Sequence, residues 1–271
     1  MLILILKEAT LTPMQNANRT TPRPNLWLTS ISALLLLLTN SAYAGCDSPA
    51  APKVNWKGCD KQNLDLSGAD LGGAILDKIN FNGTNLSKAN LRDAYIGGAD
   101  LRNANLSHAI LIDTYLVASN LSGANLSNVN AKGASLERAR FEKSNLRQAN
   151  LSQANLYDAK LHQADLTGAT LIEARLEQAD LSQTNLSNAD LSRANLRRAT
   201  LEETLFKGAN LESAKLERSR MKGTDFSNAN LTRASLADAE VINIIITGAK
   251  LDYTTWYDRR RCRSGSIGEC Q

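Results

Sequence analysis

An apolar residue recurs at every fifth position from Leu66 to Leu251, and this period constrains the fold more than any other feature of the chain. The run contains 38 consecutive units with no insertion or deletion. We call the apolar position i. A small residue, usually alanine, stands at i−2, as Ala69 does before Leu71. A period of five matches neither the 3.6 residues of a helical turn nor the alternation of an ordinary strand.

Each unit combines an extended piece with a corner. Positions i−2 and i are two residues apart, which places both side chains on the same side of an extended segment. Ten of the twelve glycines between residues 65 and 256 stand at i+2, where a turn requires positive φ. All five prolines precede residue 53, so none interrupts the backbone hydrogen bonds of the repeat. We therefore expect an all-β chain that coils.

The unit Ala-(Asn/Asp)-Leu-x-x resembles the motif of the pentapeptide-repeat family, and the resemblance extends through the whole run from Leu66 to Leu251. This resemblance implies a right-handed quadrilateral β-helix with four units in each coil, so that the chain returns to the same wall at every twentieth position. We expect the β-helix to occupy residues 65–255. Because a stacked solenoid exposes the interior of its terminal coils, we expect short caps, formed by residues 45–64 with Trp56 as a plug and by the tail of residues 256–271.

A coil of four units sorts the side chains into columns. Position i−1 gives an outer column of Asp65, Asn85, Asn105 and Asn125, which we expect to act as a hydrogen-bonded ladder, because stacked asparagines bond from layer to layer. A second outer column contains Ile75, Tyr95 and Tyr115. This column is the first candidate binding patch.

Residues 14–44 are typical of a secretory signal, and we expect a signal peptide at residues 1–44, with Met14 as an alternative start. Arg19 and Arg23 precede an apolar stretch, and Ala42-Tyr43-Ala44 offers a cleavage site. The apolar stretch is too short to span a bilayer. We expect a periplasmic or secreted protein with no transmembrane segment in the mature chain. Acylation of Cys46 is a less favoured alternative, because Tyr43 stands where a lipoprotein signal has leucine.

The four cysteines are interpreted as disulfides. Given the coil that the resemblance implies, the rod is roughly 45 Å long, so a bond between its ends would exceed the Cα separation that a disulfide allows. This leaves Cys46 with Cys59 and Cys262 with Cys270, in agreement with export. The two histidines, His108 and His162, are isolated from cysteines and clustered carboxylates, so we expect no metal and no cofactor.

Charge argues against a nucleic-acid partner. The net charge is +4, but residues 65–256 contain 21 Lys or Arg against 22 Asp or Glu. The resemblance also raises inhibition of a DNA topoisomerase by DNA mimicry, which requires a strongly acidic rod. A nearly neutral repeat and an exported location both disfavour that alternative.

One enzyme hypothesis is open. Glu142, His162 and Ser182 follow one another at an offset of 20 and would form a column with a base between an acid and a nucleophile. A flat outer wall offers no evident oxyanion hole or water-excluding pocket. We therefore expect a protein that is not an enzyme.

The C-terminal coils change in character. Ile242 and Ile245 are apolar at outward positions, and Trp256 and Tyr257 follow. Two interpretations remain: the tail folds back over these residues as a cap, or they form the seam of a homodimer. In either case we expect an exported, non-catalytic scaffold that binds an unknown protein or envelope component.

Overall fold

The computed structural model describes residues 45–271, so the expected export signal of residues 1–44 lies outside the described range. Residues 45–271 consist of turns and short bridges without a helix. No membrane-spanning helix was found among them.

The five-residue unit is a complete hydrogen-bonding module, as the unit around Leu86 shows. The Leu86 N–H donates to the Asn105 carbonyl at 2.7 Å, and the Lys88 N–H donates to the Ser107 carbonyl at 2.9 Å, both in the next coil. The Asn85 N–H donates to a carbonyl of the preceding coil at 2.9 Å. The Ala89 N–H closes the turn on Leu86 at 3.0 Å. Four of the five backbone donors are thereby satisfied.

The fifth donor explains the Asn or Asp at i−1. The N–H of Ser87, at i+1, donates to Oδ1 of Asn85 at 3.1 Å. The same bond recurs at Ser107 with Asn105 and at Ser127 with Asn125. An Asn or Asp side chain thus binds its own backbone two residues on, which is the Asx-turn geometry these residues favour.

Parallel bridges at position i−1 join each coil to the next, and the partners always differ by 20 in number, from Asn55 with Ile75 to Ser235 with Thr255. Successive bridges begin at every fifth position, so each coil contributes four of them. One bridge extends into a pair of strands, β1 at Arg220–Lys222 and β2 at Glu240–Ile242. These strands pair in parallel with Arg220 opposite Glu240. A chain that pairs with itself at a constant offset of 20 is a β-helix.

The corners require a left-handed backbone at every unit. Every fifth residue from Lys53 to Tyr253 has φ between 51° and 70°. Glycine occupies some of these i+2 positions, but most carry a side chain, as Lys143 and Gln148 do. The ladder bonds on both sides of the corner hold these residues in a region that L-amino acids ordinarily avoid.

The core is the shaft formed by positions i and i−2. The leucines at i and the alanines at i−2 are buried throughout the middle coils. Phe206 and Phe226 stack in adjacent coils with ring centroids 5.0 Å apart. Burial of each large apolar side chain contributes about 1.5–3 kcal/mol. Neighbouring coils share this burial, so the coils stabilise one another.

The β-helix begins earlier than the expected boundary at residue 65. The Lys53 N–H already donates to Gly72 at 2.8 Å, and Asn55 is the first bridged residue. The expectation that residues 45–64 lie outside the repeat was therefore wrong for residues 53–64. This coil is not evident from the sequence, because Lys61 occupies position i in place of an apolar residue. The ammonium group of Lys61 lies 4.3 Å from the centroid of the Trp56 ring.

The N-terminal segment covers part of the first coil. Trp56 is 1% exposed, and its Nε1–H donates to the Ser48 carbonyl at 3.1 Å. Leu64, in the same coil, is 43% exposed. Residues 45–52 thus shield the side of the coil that contains Trp56 and leave the side of Leu64 open.

The C-terminal tail also covers only half of the last coil. Lys250 pairs antiparallel with Ile267, and Thr255 pairs antiparallel with Arg261. Trp256 is 5% exposed beneath this tail. Ile242 and Ile245 are 41% and 46% exposed. The expectation that the tail folds over the isoleucines was therefore wrong, because its antiparallel pairing directs it across the opposite sides of the coil.

Both ends carry a disulfide. Cys46 is bonded to Cys59 with Cα atoms 5.4 Å apart, and Cys262 to Cys270 with Cα atoms 4.9 Å apart. The sulfur of Cys46 forms the disulfide with Cys59. The alternative of acylation at Cys46 requires a free thiol and therefore conflicts with the structure.

Candidate functional site

The most prominent exposed feature on the side of the rod is a column of apolar side chains, Ile75, Tyr95 and Tyr115, which we call the tyrosine strip. Bridges join Ile75 to Tyr95 and Tyr95 to Tyr115, so the three residues lie in successive coils. The two tyrosine rings are parallel within 2°, with centroids 4.9 Å apart. They are 48% and 45% exposed. The strip presents stacked rings to solvent on a rigid backbone.

Further apolar groups widen the strip. Val117 lies two residues after Tyr115 and is 37% exposed. Ile110 lies five residues before Tyr115, one unit earlier in the same coil, and is 38% exposed. Gly97, which has no side chain, occupies the position beside Tyr95 that corresponds to Val117. Five exposed or half-exposed apolar side chains thus lie on three adjacent coils. Exposed apolar groups concentrated in one region are candidates for an interaction site.

The strip departs from the hydrogen-bonding rule of its own fold. Ile75 and Tyr115 cannot accept the N–H at i+1, and no side-chain oxygen among residues 45–271 accepts it at Asp77 or Val117. At Gly97 the N–H donates to Asp77 Oδ1 of the preceding coil at 3.0 Å. The strip residues lack the side-chain acceptor that Asn or Asp supplies at this position in other units, and within the described range they gain no other side-chain hydrogen bond in its place. Positions that break a local rule of the fold without a structural gain are candidates for function.

The polar column behaves as the expected ladder. Nδ2 of Asn85 donates to Asp65 Oδ1 at 2.9 Å, and Nδ2 of Asn105 donates to Asn85 Oδ1 at 3.2 Å. Asn125 and Asn145 continue the series, each bond 3.2 Å long. Asp65 ends the ladder because it accepts without donating. The backbone N–H and the hydroxyl of Ser67, together with Asn85, hold the pKa of Asp65 below its usual value, against the effect of burial.

The enzyme hypothesis gains no support from the geometry. Oγ of Ser182 donates to Asp180 at 2.6 Å, and Glu142 accepts from Ser122 at 2.7 Å and from Arg140 at 3.1 Å. In the described range no hydrogen bond joins His162 to Glu142 or Ser182. Burial acts to raise the pKa of Glu142, but the Ser122 and Arg140 bonds outweigh it and lower that pKa. The three residues share a column without forming a catalytic relay.

A groove of about 500 Å³ opens farther along the column of Val117. Sequence reasoning missed it, because it is formed by long side chains at corners and not by the repeat itself. Its walls combine two columns, with Tyr157, Glu177, Arg197 and Glu217 at position i+1, and Gln178, Arg198, Arg218 and Asp238 at position i+2.

No cluster of three or more His, Cys, Asp or Glu within residues 45–271 is arranged to hold a metal ion.

Two family models match the sequence. One, described as a pentapeptide repeat region, matches residues 134–211. The other, described as pentapeptide repeats in eight copies, matches residues 65–103, 99–138 and 209–248. The chain belongs to the pentapeptide-repeat family. The matched residues of this pentapeptide-repeat chain include the tyrosine strip and all eight residues that line the groove.

Several solved structures are similar to this pentapeptide-repeat chain. HetL, a pentapeptide-repeat protein involved in heterocyst differentiation regulation from Nostoc sp. strain PCC 7120, is 29% identical, with 78% of this chain and 92% of HetL covered and a TM-score of 0.49. QnrB1, a plasmid-mediated fluoroquinolone resistance protein, is 19% identical, with 67% and 87% covered and a TM-score of 0.39. A protein of the Arabidopsis thaliana thylakoid lumen is 36% identical, with 42% and 69% covered and a TM-score of 0.29. A comparison with curated proteins found no match.

Proposed function

We propose that this chain is an exported, non-catalytic scaffold that binds a protein or envelope component through the tyrosine strip. The observation that carries the proposal is the pair of parallel, stacked and half-exposed rings of Tyr95 and Tyr115. Tyrosine supplies a large rigid contact area at a low cost in side-chain entropy, and it is enriched at binding hot spots. The parallel bridges of Tyr95 and Tyr115 to neighbouring coils hold the backbone beneath the rings. Binding therefore requires little reordering of the chain.

A pull-down from the envelope fraction tests the proposed interface. Wild type, Tyr95→Ala/Tyr115→Ala and the matched control Tyr253→Ala/Tyr257→Ala are compared, since Tyr253 and Tyr257 are also exposed but lie in and beyond the last coil. We expect a partner that wild type and the control retain and the strip variant loses. Equal retention by all three proteins contradicts the proposed interface.

The finer architecture belongs to the same proposal. We infer a right-handed, quadrilateral cross-section, for which the four bridges in each coil and the preferred hand of parallel crossovers give support. The disulfide-linked segments near Trp56 and Trp256 are proposed as caps. The proposed domain order is an export signal at 1–44, an N-terminal cap at 45–52, a β-helix from residue 53 to residue 255 and a C-terminal cap at 256–271.

Export is proposed from the signal-like residues 1–44 and is compatible with the disulfides. Cell fractionation followed by N-terminal sequencing tests it. We expect a mature chain that begins at Gly45 and, in non-reducing mass mapping, links between Cys46 and Cys59 and between Cys262 and Cys270. An uncleaved chain retained in the cytoplasm contradicts export.

A homodimer seam at the C-terminal end is the proposed alternative to a monomer. Ile242 and Ile245 are exposed beside the partly exposed Val241, Ile244 and Ile246. This edge also carries backbone N–H groups, such as those of Asn243, Ile246 and Gly248, that form no backbone hydrogen bond within the described chain. Sedimentation of wild type and of Ile242→Lys/Ile245→Lys tests the seam. A dimer that the variant abolishes supports it, and a monomeric wild type excludes it.

DNA mimicry is a second candidate with weaker support. Long acidic columns are absent from the described repeat, because Arg and Lys pair with many of its carboxylates, as Arg197 does with Glu217 and Arg193 with Glu173. A supercoiling assay with a purified gyrase tests this candidate, and we expect no inhibition.

A further inference from the structure

The groove of about 500 Å³ contains two guanidinium groups that no carboxylate of the described chain binds at hydrogen-bond distance. It also contains a buried carboxylate oxygen without a hydrogen-bond partner among the described residues. Ion pairs join many of the charged side chains along or between coils, as Arg193 with Glu173. In the groove, Arg197 binds Glu217 through two hydrogen bonds of 3.0 Å and 3.2 Å. Asp238 is likewise occupied, because Arg259 binds it at 2.8 Å and 2.9 Å.

The remaining cations of the groove are Arg198 and Arg218. Within residues 45–271, Arg198 forms no ion pair. Nε of Arg218 lies 3.9 Å from Oδ2 of Asp238, which is beyond hydrogen-bond distance. The two arginines occupy the same column in consecutive coils, so both guanidinium groups are available to one bound carboxylate pair. Arginine binds carboxylates through two parallel hydrogen bonds where geometry permits.

The opposite wall supplies an acceptor. Oε1 of Glu177 accepts from Nδ2 of Asn195 at 2.6 Å. Oε2 of Glu177 is buried and has no partner. A buried acceptor without a donor is unfavourable, and a rotation of this carboxylate that brought Oε2 to a ligand N–H would remove that penalty. Tyr157 stands beside Glu177 in the same column and contributes an aromatic surface.

We propose that this groove binds an acidic segment of an extended polypeptide. Its carboxylates would contact Arg198 and Arg218, and a backbone N–H would donate to Oε2 of Glu177. The inference adds a second site to the proposed scaffold function and rests on residues other than those of the tyrosine strip. Recognition of acidic motifs by arginine pairs is a recurring mode of peptide binding.

The mixed charge of the groove favours a peptide over a polyanion. Glu177 and Glu217 face the same space as the arginines. A nucleic acid or polyuronate carries an anion at every residue and would place some of them against these carboxylates. A peptide can confine its carboxylates to the arginine side and present amide groups to the other side.

Fluorescence anisotropy with labelled peptides tests the proposal. The probes are a glutamate-rich peptide of about ten residues, roughly 33 Å when extended, and the same peptide with every glutamate replaced by glutamine. We expect saturable binding of the glutamate peptide that weakens as salt is added, because the pairs are solvent-accessible. We expect the affinity to fall at least about tenfold in Arg198→Ala/Arg218→Ala, since both charge-assisted contacts are lost.

Matched variants separate this site from other effects. Arg92→Ala removes an exposed arginine from another column and should leave the affinity unchanged. Arg198→Glu/Arg218→Glu should lose the acidic peptide and gain a lysine-rich one. Tyr95→Ala/Tyr115→Ala should bind the acidic peptide as wild type does, so failure of the tyrosine strip and failure of the groove are distinguishable.

Four outcomes overturn the proposal. They are the absence of saturable binding to wild type, equal binding of the glutamine peptide, an unchanged affinity in Arg198→Ala/Arg218→Ala, and tighter binding of an oligogalacturonate than of the peptide.

Discussion

At the scale of single residues, the fold assigns a separate task to four of the five positions in each unit. Position i fills the shaft, i−2 admits a small side chain, and i−1 both forms the bridge and, as Asn or Asp, accepts the N–H at i+1. Position i+2 holds a left-handed backbone. A substitution is therefore judged first by its position in the unit and then by its neighbour one coil away.

Glycine at i+2 is required most where the preceding coil is close. A Cβ added at Gly123 would lie 2.6 Å from Oδ1 of Asn103, whereas one added at Gly68 would meet nothing within 4 Å. Both residues have similar φ, 70° and 68°. We expect Gly68→Ala to cost about 1 kcal/mol in left-handed strain and Gly123→Ala to cost more, by roughly a further 1 kcal/mol. Thermal unfolding measures both, and equal losses would contradict the contact with Asn103.

The carboxylate of Asp225 should make the folded protein less stable at acidic pH. Burial acts to raise its pKa, but the hydroxyl and N–H of Ser227, at 2.6 Å and 2.8 Å, and the ammonium of Lys207, at 3.3 Å, lower it overall. A carboxylate whose pKa is lower in the folded state stabilises the fold above the unfolded pKa, near 3.8. This contribution is lost as the pH falls through the folded value.

Asp225→Asn tests this linkage. We expect the variant to unfold at a lower temperature than wild type at pH 7, with the difference shrinking as the pH falls below about 4. A difference that stays constant down to pH 2 would show that the charge of Asp225 does not contribute.

At the scale of elements, the bridges and the asparagine ladder bind one coil to the next. Asn125 donates to Asn105 and accepts from both Asn145 and the N–H of Ser127. We expect Asn125→Ala to destabilise the protein by about 1–3 kcal/mol, because it leaves partly buried donors without acceptors. Asn125→Asp keeps the acceptors and loses one donor, so it should cost less. A neutral Asn125→Ala in chemical denaturation would show that the ladder is incidental.

The sequence specified the elements wherever the repeat is regular. The five-residue period indicated which residues face inward, and the four-unit coil implied by the family resemblance brought Tyr95 beside Tyr115. The first coil was missed because Lys61 replaces leucine at a position that has a neighbouring coil on one side only. The path of the tail was missed because its antiparallel pairing with Lys250 and Thr255 follows no repeat.

At the scale of the whole molecule, function depends on surfaces that the repeat leaves free. The shaft needs only its interior positions, so residues such as Tyr95, Tyr115, Arg198 and Arg218 can vary without loss of the fold. Their columns could be listed from the sequence, but the groove could not. It depends on which long side chains pair with one another, and Arg259 reaches Asp238 from outside the repeat.

The central claim is that the chain pairs with itself at a constant offset of 20, since every column and both proposed sites follow from that offset. Engineered cysteines test it directly. Ser135→Cys/Asn155→Cys joins two bridged residues, whose Cα separation of about 4.8 Å falls in the range that a disulfide allows. Ser135→Cys/Asn150→Cys, at an offset of 15, places the cysteines on different sides of the coil. After mild oxidation, thiol titration and mass mapping should find the new bond in the first variant and two free thiols in the second; a bond at offset 15, or none at offset 20, would contradict the account.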